Sequence, residues 1–91
     1  MDLKPGDSVI RTVEYNHMRT HGTPFKATVL NVEKITPAGF IYAGTDKYRG
    51  HNEPLLAWRP RNRGMRQYRV YLWADTPDNR KRFAKLLAKT E

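Results

Sequence analysis

The sequence has no cysteine, so the chain forms no disulfide, has no thiolate nucleophile and holds no cysteine-ligated zinc. This absence fits a reducing compartment. The N-terminal residues MDLKPGDSV contain no apolar run typical of a signal peptide, and no stretch approaches the roughly twenty apolar residues of a transmembrane helix. We therefore expect a cytoplasmic protein without a membrane partner.

Apolar residues are also scarce, at 38% of the chain, whereas charged residues make up 29%. A chain of 91 residues forms one small domain, here 1–91, and such a domain buries only roughly 60–65% of its unfolded surface. Two Trp, five Tyr and three Phe are nevertheless too many aromatics for a disordered tail. We expect a folded domain with a modest core.

Acidic residues are few: nine Asp and Glu stand against 17 Lys and Arg, for a formal charge of +8. The excess is uneven, because residues 1–44 carry five basic and four acidic side chains and residues 45–91 carry twelve and five. A localised basic half favours a polyanionic partner, either DNA or RNA or an acidic protein. The alternative is that the charge only keeps the protein soluble.

Alternation of apolar and polar residues, punctuated by Gly and Pro, predicts about five short strands. In the first, neither face is cleanly apolar, which indicates an edge or bent strand that two copies could pair through. In the second, the apolar parity changes near Val29 and Leu30, which predicts a bulge or a sharp bend there. In the last, Tyr68, Val70 and Leu72 form the core face. The strands are 8–15, 25–36, 40–43, 55–58 and 67–73, with a further brief one at 47–49.

A terminal helix over 77–89 is predicted by Thr76 as N-cap, Pro77 as first helical residue and Asp78 at the positive end of the helix dipole. Its spacing gives a narrow apolar stripe. The stripe is Phe83, Leu86 and Leu87, flanked by Ala84 and Ala88.

The turn and strand at Lys4 to Ile10, followed by a polar loop, a bent strand, a turn and a short strand ending at Gly44, resemble SH3-like small barrels of the Tudor and KOW type. The Thr-Pro-acid helix start is similar to short barrel proteins of unknown function in phage genomes. The resemblance implies a mainly β fold, with a barrel over 1–74 and one terminal helix. Such barrels bind RNA, DNA, peptides or proteins. A Tudor-type aromatic cage would draw on Tyr15, Phe40, Tyr42 and Tyr48.

The strongest candidate site is a run of arginines between Trp58 and Trp73 that contains no acid. Arginine bonds phosphate bidentately and stacks on bases, so the run predicts contact with nucleic acid. On the following strand, Tyr71 can stack a base. In a domain with so few apolar residues, the favoured alternative is that Tyr71 and Trp73 lie beneath the helix, and Trp73 is the better core candidate. The predicted binding residues are Arg59, Arg61, Arg63, Arg66, Arg69, Tyr71, Arg80, Lys81 and Lys85.

Metal binding and catalysis have little support. His17 and His21 are four residues apart, with His51 as a third possible ligand, but no H-E-x-x-H pattern accompanies them and we interpret them as loop residues. Asp46 and Glu53 beside His51 form only a weak nuclease-like cluster. We expect no enzyme, no metal and no cofactor.

Two hypotheses follow. The first is a non-enzymatic nucleic-acid-binding module that uses the arginine run and the basic helix. The second is a protein-interaction module, such as a phage-encoded inhibitor or modulator of a host protein, in which loops 17–23 and 46–53 contact an acidic partner. Charge alone does not distinguish them.

Overall fold

A computed structural model describes residues 3–15, 24–44, 46–50, 52–57 and 68–90, which form a small closed antiparallel β-barrel followed by two short helices. The mainly β prediction is confirmed, and the architecture is consistent with an SH3-like barrel. The predicted helix is two consecutive segments that meet at Phe83. The elements are β1 (Ser8–Tyr15), β2 (Pro24–Ile35), β3 (Ile41–Ala43), β4 (Asp46–Arg49), β5 (Leu55–Ala57), β6 (Tyr68–Ala74), α1 (Pro77–Arg82) and α2 (Ala84–Thr90).

The first strand closes the barrel. It pairs with β2 on one side and with β6 on the other, and Ile10 faces Val29 and Trp73 across these two ladders. Of the two alternatives predicted for β1, an edge or a bent strand, the edge strand open to a second copy is therefore wrong. Its faces read as mixed because both are buried: Val9 and Val13 point into the barrel, and Ile10 points outward under the helices.

Burial on both faces also explains why the apolar parity changes along β2. Ala27 is buried on the outer face beneath the helices, whereas Val32 is buried in the barrel interior. The change of apolar parity therefore marks a change of core. The bulge predicted near Val29 and Leu30 is absent from the β1–β2 ladder, which runs in continuous register from Ser8 to Val13. The shifts lie at Val13/Glu14 in that ladder and at Val32/Lys34 against β3.

The barrel interior is the main core. Tyr48, Leu55 and Leu72 have no exposed surface. On β6, Val70 and Leu72 face inward as predicted, but Tyr68 is 45% exposed. Tyr68 is the first residue of the strand, and its ring contacts the exposed ring of Phe25 (centroids 5.9 Å apart). The interior set is Val9, Val13, Val32, Ile41, Ala43, Tyr48, Leu55, Ala57, Val70 and Leu72.

A second, smaller core joins the helices to the outside of the barrel. Phe83 is buried against Ile10 and Ala27, and its ring lies 5.1 Å from that of Trp73. Leu86 and Leu87 pack partly against this cluster, which confirms the predicted stripe, while the flanking Ala84 and Ala88 are exposed. No helix in the described ranges is long and apolar enough to cross a membrane.

The junction between barrel and helix is held by side-chain hydrogen bonds. Thr76 is the N-cap, and its Oγ1 accepts from the backbone N of Asn79 (3.2 Å). The buried Asn79 donates from Nδ2 to the Ala74 carbonyl (2.8 Å) and to Oε1 of Glu53 (2.9 Å). Oε2 of Glu53 in turn accepts from the Ala74 N (3.2 Å). The segment before β5 is thereby tied to the start of α1.

Asp75 makes this junction sensitive to acid. Arg80 donates to its two oxygens (2.6 and 2.8 Å) and Ser8 to Oδ2 (2.5 Å). The Arg80 hydrogen bonds, helped by Ser8 and opposed by partial burial, hold the pKa of Asp75 below its ordinary value. Because the folded pKa is the lower one, this contribution to stability is fully present above the unfolded pKa of about 4 and is lost as pH falls below it through the folded pKa. We expect Asp75→Asn to unfold at a lower temperature at pH 7, with a smaller difference from the wild type at pH 3. If the unfolding temperatures of Asp75→Asn and the wild type differ by as much at pH 3 as at pH 7, the ionised Asp75 does not stabilise the junction.

Candidate nucleic-acid interface

The arginine run, residues 59–69, connects β5 to β6. Arg59, Arg61, Arg63 and Arg66 lie outside the described residues, so their role stays a prediction. The strands that bracket them are placed: Tyr68, at the start of β6, pairs with Tyr15, the last residue of β1. The run therefore re-enters the barrel at the end where β1 finishes.

Arg69 and Tyr71 alternate with the buried Val70 and Leu72, so both point to the outside of the barrel, and both are half-buried. Tyr71 faces Thr12 on one side and Leu56 on the other. Trp73 shares this outer face but packs on Phe83 under the helix and donates from Nε1 to Oγ1 of Thr12 (2.9 Å). Trp73 is thus part of the second core and also half-buried.

The predicted helix residues have two different roles. Arg80 forms the paired contacts with Asp75 and belongs to the junction. Lys81 and Lys85 are exposed, as a contact with a large anion requires. Arg82, which was not among the predicted residues, lies over the Trp73 ring at 5.3 Å from the centroid.

A groove of about 590 Å³ lies beside the second core, between the helices and the barrel. Its walls are apolar and aromatic, its rim is basic, and Glu14, a residue only 6% exposed, lies on its barrel side. We call it the helix groove. It is lined by Thr12, Glu14, Pro24, Trp73, Arg82, Phe83, Lys85, Leu86 and Lys89.

A second basic surface lies on the outside of β2, β3 and β4 and includes Phe40, the residue before β3; none of its residues was among the predicted binding residues. Nζ of Lys34 lies 4.7 Å from the ring centroid of Tyr42. Nζ of Lys47 and Cζ of Arg49 lie 4.7 and 5.4 Å from that of Phe40. We call these five residues, Lys34, Phe40, Tyr42, Lys47 and Arg49, the outer strand face. Its signal in the sequence is alternation: the buried Ile41, Ala43 and Tyr48 fix the opposite parity as outward.

Tyr48 is excluded from the aromatic cage that a Tudor-type barrel would form. Tyr48 has no exposed surface and belongs to the interior core, so it cannot line a surface cage with Phe40 and Tyr42. The side chain of Tyr15 lies outside the described residues. Phe40 and Tyr42 instead present their rings, half-buried, on the outer strand face.

The two acids of the weak nuclease-like cluster have structural partners. Oδ2 of Asp46 accepts from Arg11 at 3.5 Å, and Glu53 bonds Ala74 and Asn79. All three histidines lie outside the described residues, and within the described ranges no group of three acidic or histidine side chains is placed to hold a metal ion. That the protein is not an enzyme stays a prediction.

No family model, no curated protein and no solved structure matches this chain. Charge, exposure and side-chain chemistry are therefore the grounds on which its function is inferred.

Proposed function

We propose that this protein is a non-enzymatic module that binds nucleic acid through the arginine run, with Lys81, Lys85 and the outer strand face adding contacts. One observation carries the proposal: most of the acids that are placed have roles inside the fold, so they leave most of the basic excess facing outward. A cationic field of this kind attracts the phosphate backbone and supplies most of the sequence-independent affinity.

Four acids illustrate this division. Asp7 accepts from the Lys4 amide in its own turn (2.8 Å), and Glu53 serves the junction. Asp46 and Asp75 each engage an arginine of the fold, Arg11 and Arg80. In the part of the chain that the structure describes, the exposed basic side chains beyond these pairs are Lys4, Lys26, Lys34, Arg49, Lys81, Arg82, Lys85 and Lys89.

Fluorescence anisotropy of labelled single-stranded and duplex DNA and RNA, titrated across salt, tests the proposal. If four to six basic residues contact phosphate, log K against log salt should fall with a slope of about −3 to −4 for a single strand. A flat salt dependence, or no binding to any probe at low salt, contradicts it.

A protein-interaction module, which would act on a host factor if the gene is phage-borne, is the second candidate, and the helix groove favours it. Apolar walls at Trp73 and Phe83 with a basic rim at Lys85 and Lys89 suit an acidic segment that carries an apolar side chain. Pull-down from nuclease-treated lysate separates the two. A stoichiometric protein partner that survives nuclease and is lost in Lys85→Glu/Lys89→Glu supports the second candidate.

A further inference from the structure

We propose that the outer strand face is a stacking platform for two consecutive unpaired bases, so that the ligand is single-stranded nucleic acid. The inference rests on the proposed function and deepens it: the arginine run supplies attraction for any polyanion, whereas this face selects strands whose bases are free.

The first support is spacing. Phe40 immediately precedes β3 and Tyr42 lies within it; if the strand geometry extends back to Phe40, their Cα atoms are about 6.6 Å apart and their side chains lie on one side. This is roughly twice the 3.4 Å between stacked bases of a duplex. A splayed single strand can place one base on each ring. A duplex cannot, because its bases are paired and enclosed.

The second support is the placement of charge around the rings. Each ring has at least one cation over it, Lys34 at Tyr42 and Lys47 with Arg49 at Phe40. Such contacts at exposed sites are weak, and Lys34 and Arg49 are exposed on long side chains. A base can replace the cation over a ring, and the displaced ammonium or guanidinium then meets the phosphate beside it. Each position thus offers a stacking surface and a countercharge together.

The third support is that the face continues towards the arginine run. The ladder register aligns Arg49 with Leu56 and Leu56 with Tyr71. Leu56 is 51% exposed, so it leaves an apolar contact between Arg49 and Tyr71. The second core places the helices against Ile10 and Ala27, on β1 and β2. A single strand of nucleic acid that runs from Tyr42 to Tyr71 therefore crosses the outside of the barrel from β3 to β6.

Leucine replacements of the two rings test the platform, since leucine keeps apolar bulk and removes the π-face. Phe40→Leu, Tyr42→Leu and the double variant are titrated with labelled oligo(dT), oligo(U) and a hairpin duplex. We expect each single variant to lose about fivefold to a hundredfold in affinity for the single strands, with hairpin affinity unchanged. Tyr42→Phe, which keeps the ring, should retain binding. Phe25→Leu is the matched control, because Phe25 is an exposed aromatic outside this face.

The outcomes separate the two proposals. If the wild type binds single strands and hairpin with the same affinity, or the leucine variants bind as the wild type does, the platform is wrong while polyanion binding stands. If no probe binds at low salt, both proposals fail. If the leucine variants lose hairpin affinity equally, or their thermal unfolding shifts as much as their binding, the rings act through the fold and the platform is overturned.

Discussion

Replacing Arg61, Arg63 and Arg66 together with glutamate should abolish nucleic-acid binding at physiological salt while leaving the thermal unfolding curve unchanged. Each substitution changes the charge by two, so the formal charge falls from +8 to about +2. Three lost phosphate contacts should also reduce the slope of log K against log salt by about 2 for a single strand. This triple substitution therefore removes a large share of the proposed binding energy.

Two further variants make this result specific. Lys4→Glu/Lys26→Glu reverses two exposed charges outside the proposed surfaces and should weaken binding only through the long-range field. Replacing the three arginines with lysine keeps the charge but removes bidentate bonding, so an intermediate loss is expected. If the glutamate variant binds like the wild type, the arginine run does not contact the ligand.

Phe83→Ala should destabilise the fold strongly, costing about 3–5 kcal/mol of unfolding free energy. Phe83 is 4% exposed and is the buried helix residue in the cluster with Ile10, Ala27 and Trp73, against which Leu86 and Leu87 pack only partly. Its truncation leaves a cavity between helix and barrel, and a small domain has only about 5–15 kcal/mol in total. Urea unfolding followed by circular dichroism gives the midpoint and slope.

Leu56→Ala is the matched control for Phe83→Ala. It also truncates a large apolar side chain, but one that is 51% exposed, so it should cost less than about 1 kcal/mol. A Phe83→Ala loss as small as that of Leu56→Ala would mean that the second core contributes little. Lys81 and Lys85 would then be held loosely, and their part in binding would have to be reconsidered.

The barrel class and the helix start could be predicted from the sequence because they depend on local patterns. Thr76, Pro77 and the stripe beginning at Phe83 lie within a dozen residues of one another, and each has a direct physical preference. The position of β1 could not be predicted this way. Its mixed faces are typical of an edge strand unless a second core covers the outside of the barrel, and that cover comes from residues some seventy positions later.

In the candidate site, too, one part could be predicted from the sequence and another could not. Clustering along the chain identified the arginine run. Alternation marks the outward residues of each strand, but only the register of β2, β3 and β4 brings them together with Phe40 as the outer strand face. Tyr48 shows the limit of residue type as a guide. An aromatic near two others looked like part of a cage, yet its parity opposite to Lys47 and Arg49 sends it into the interior.

Closure of the barrel by β1 and β6 has a consequence for how the chain folds. Val9 pairs with Ala74, and Tyr15 with Tyr68, so the first strand has no final partner until nearly the whole chain is available. Pairing across such separations must overcome the entropy of closing a long loop, and barrels dominated by it fold in milliseconds to seconds. During synthesis, the β2–β4 meander can form early, while β1 waits with one edge unpaired until the last strand emerges from the ribosome.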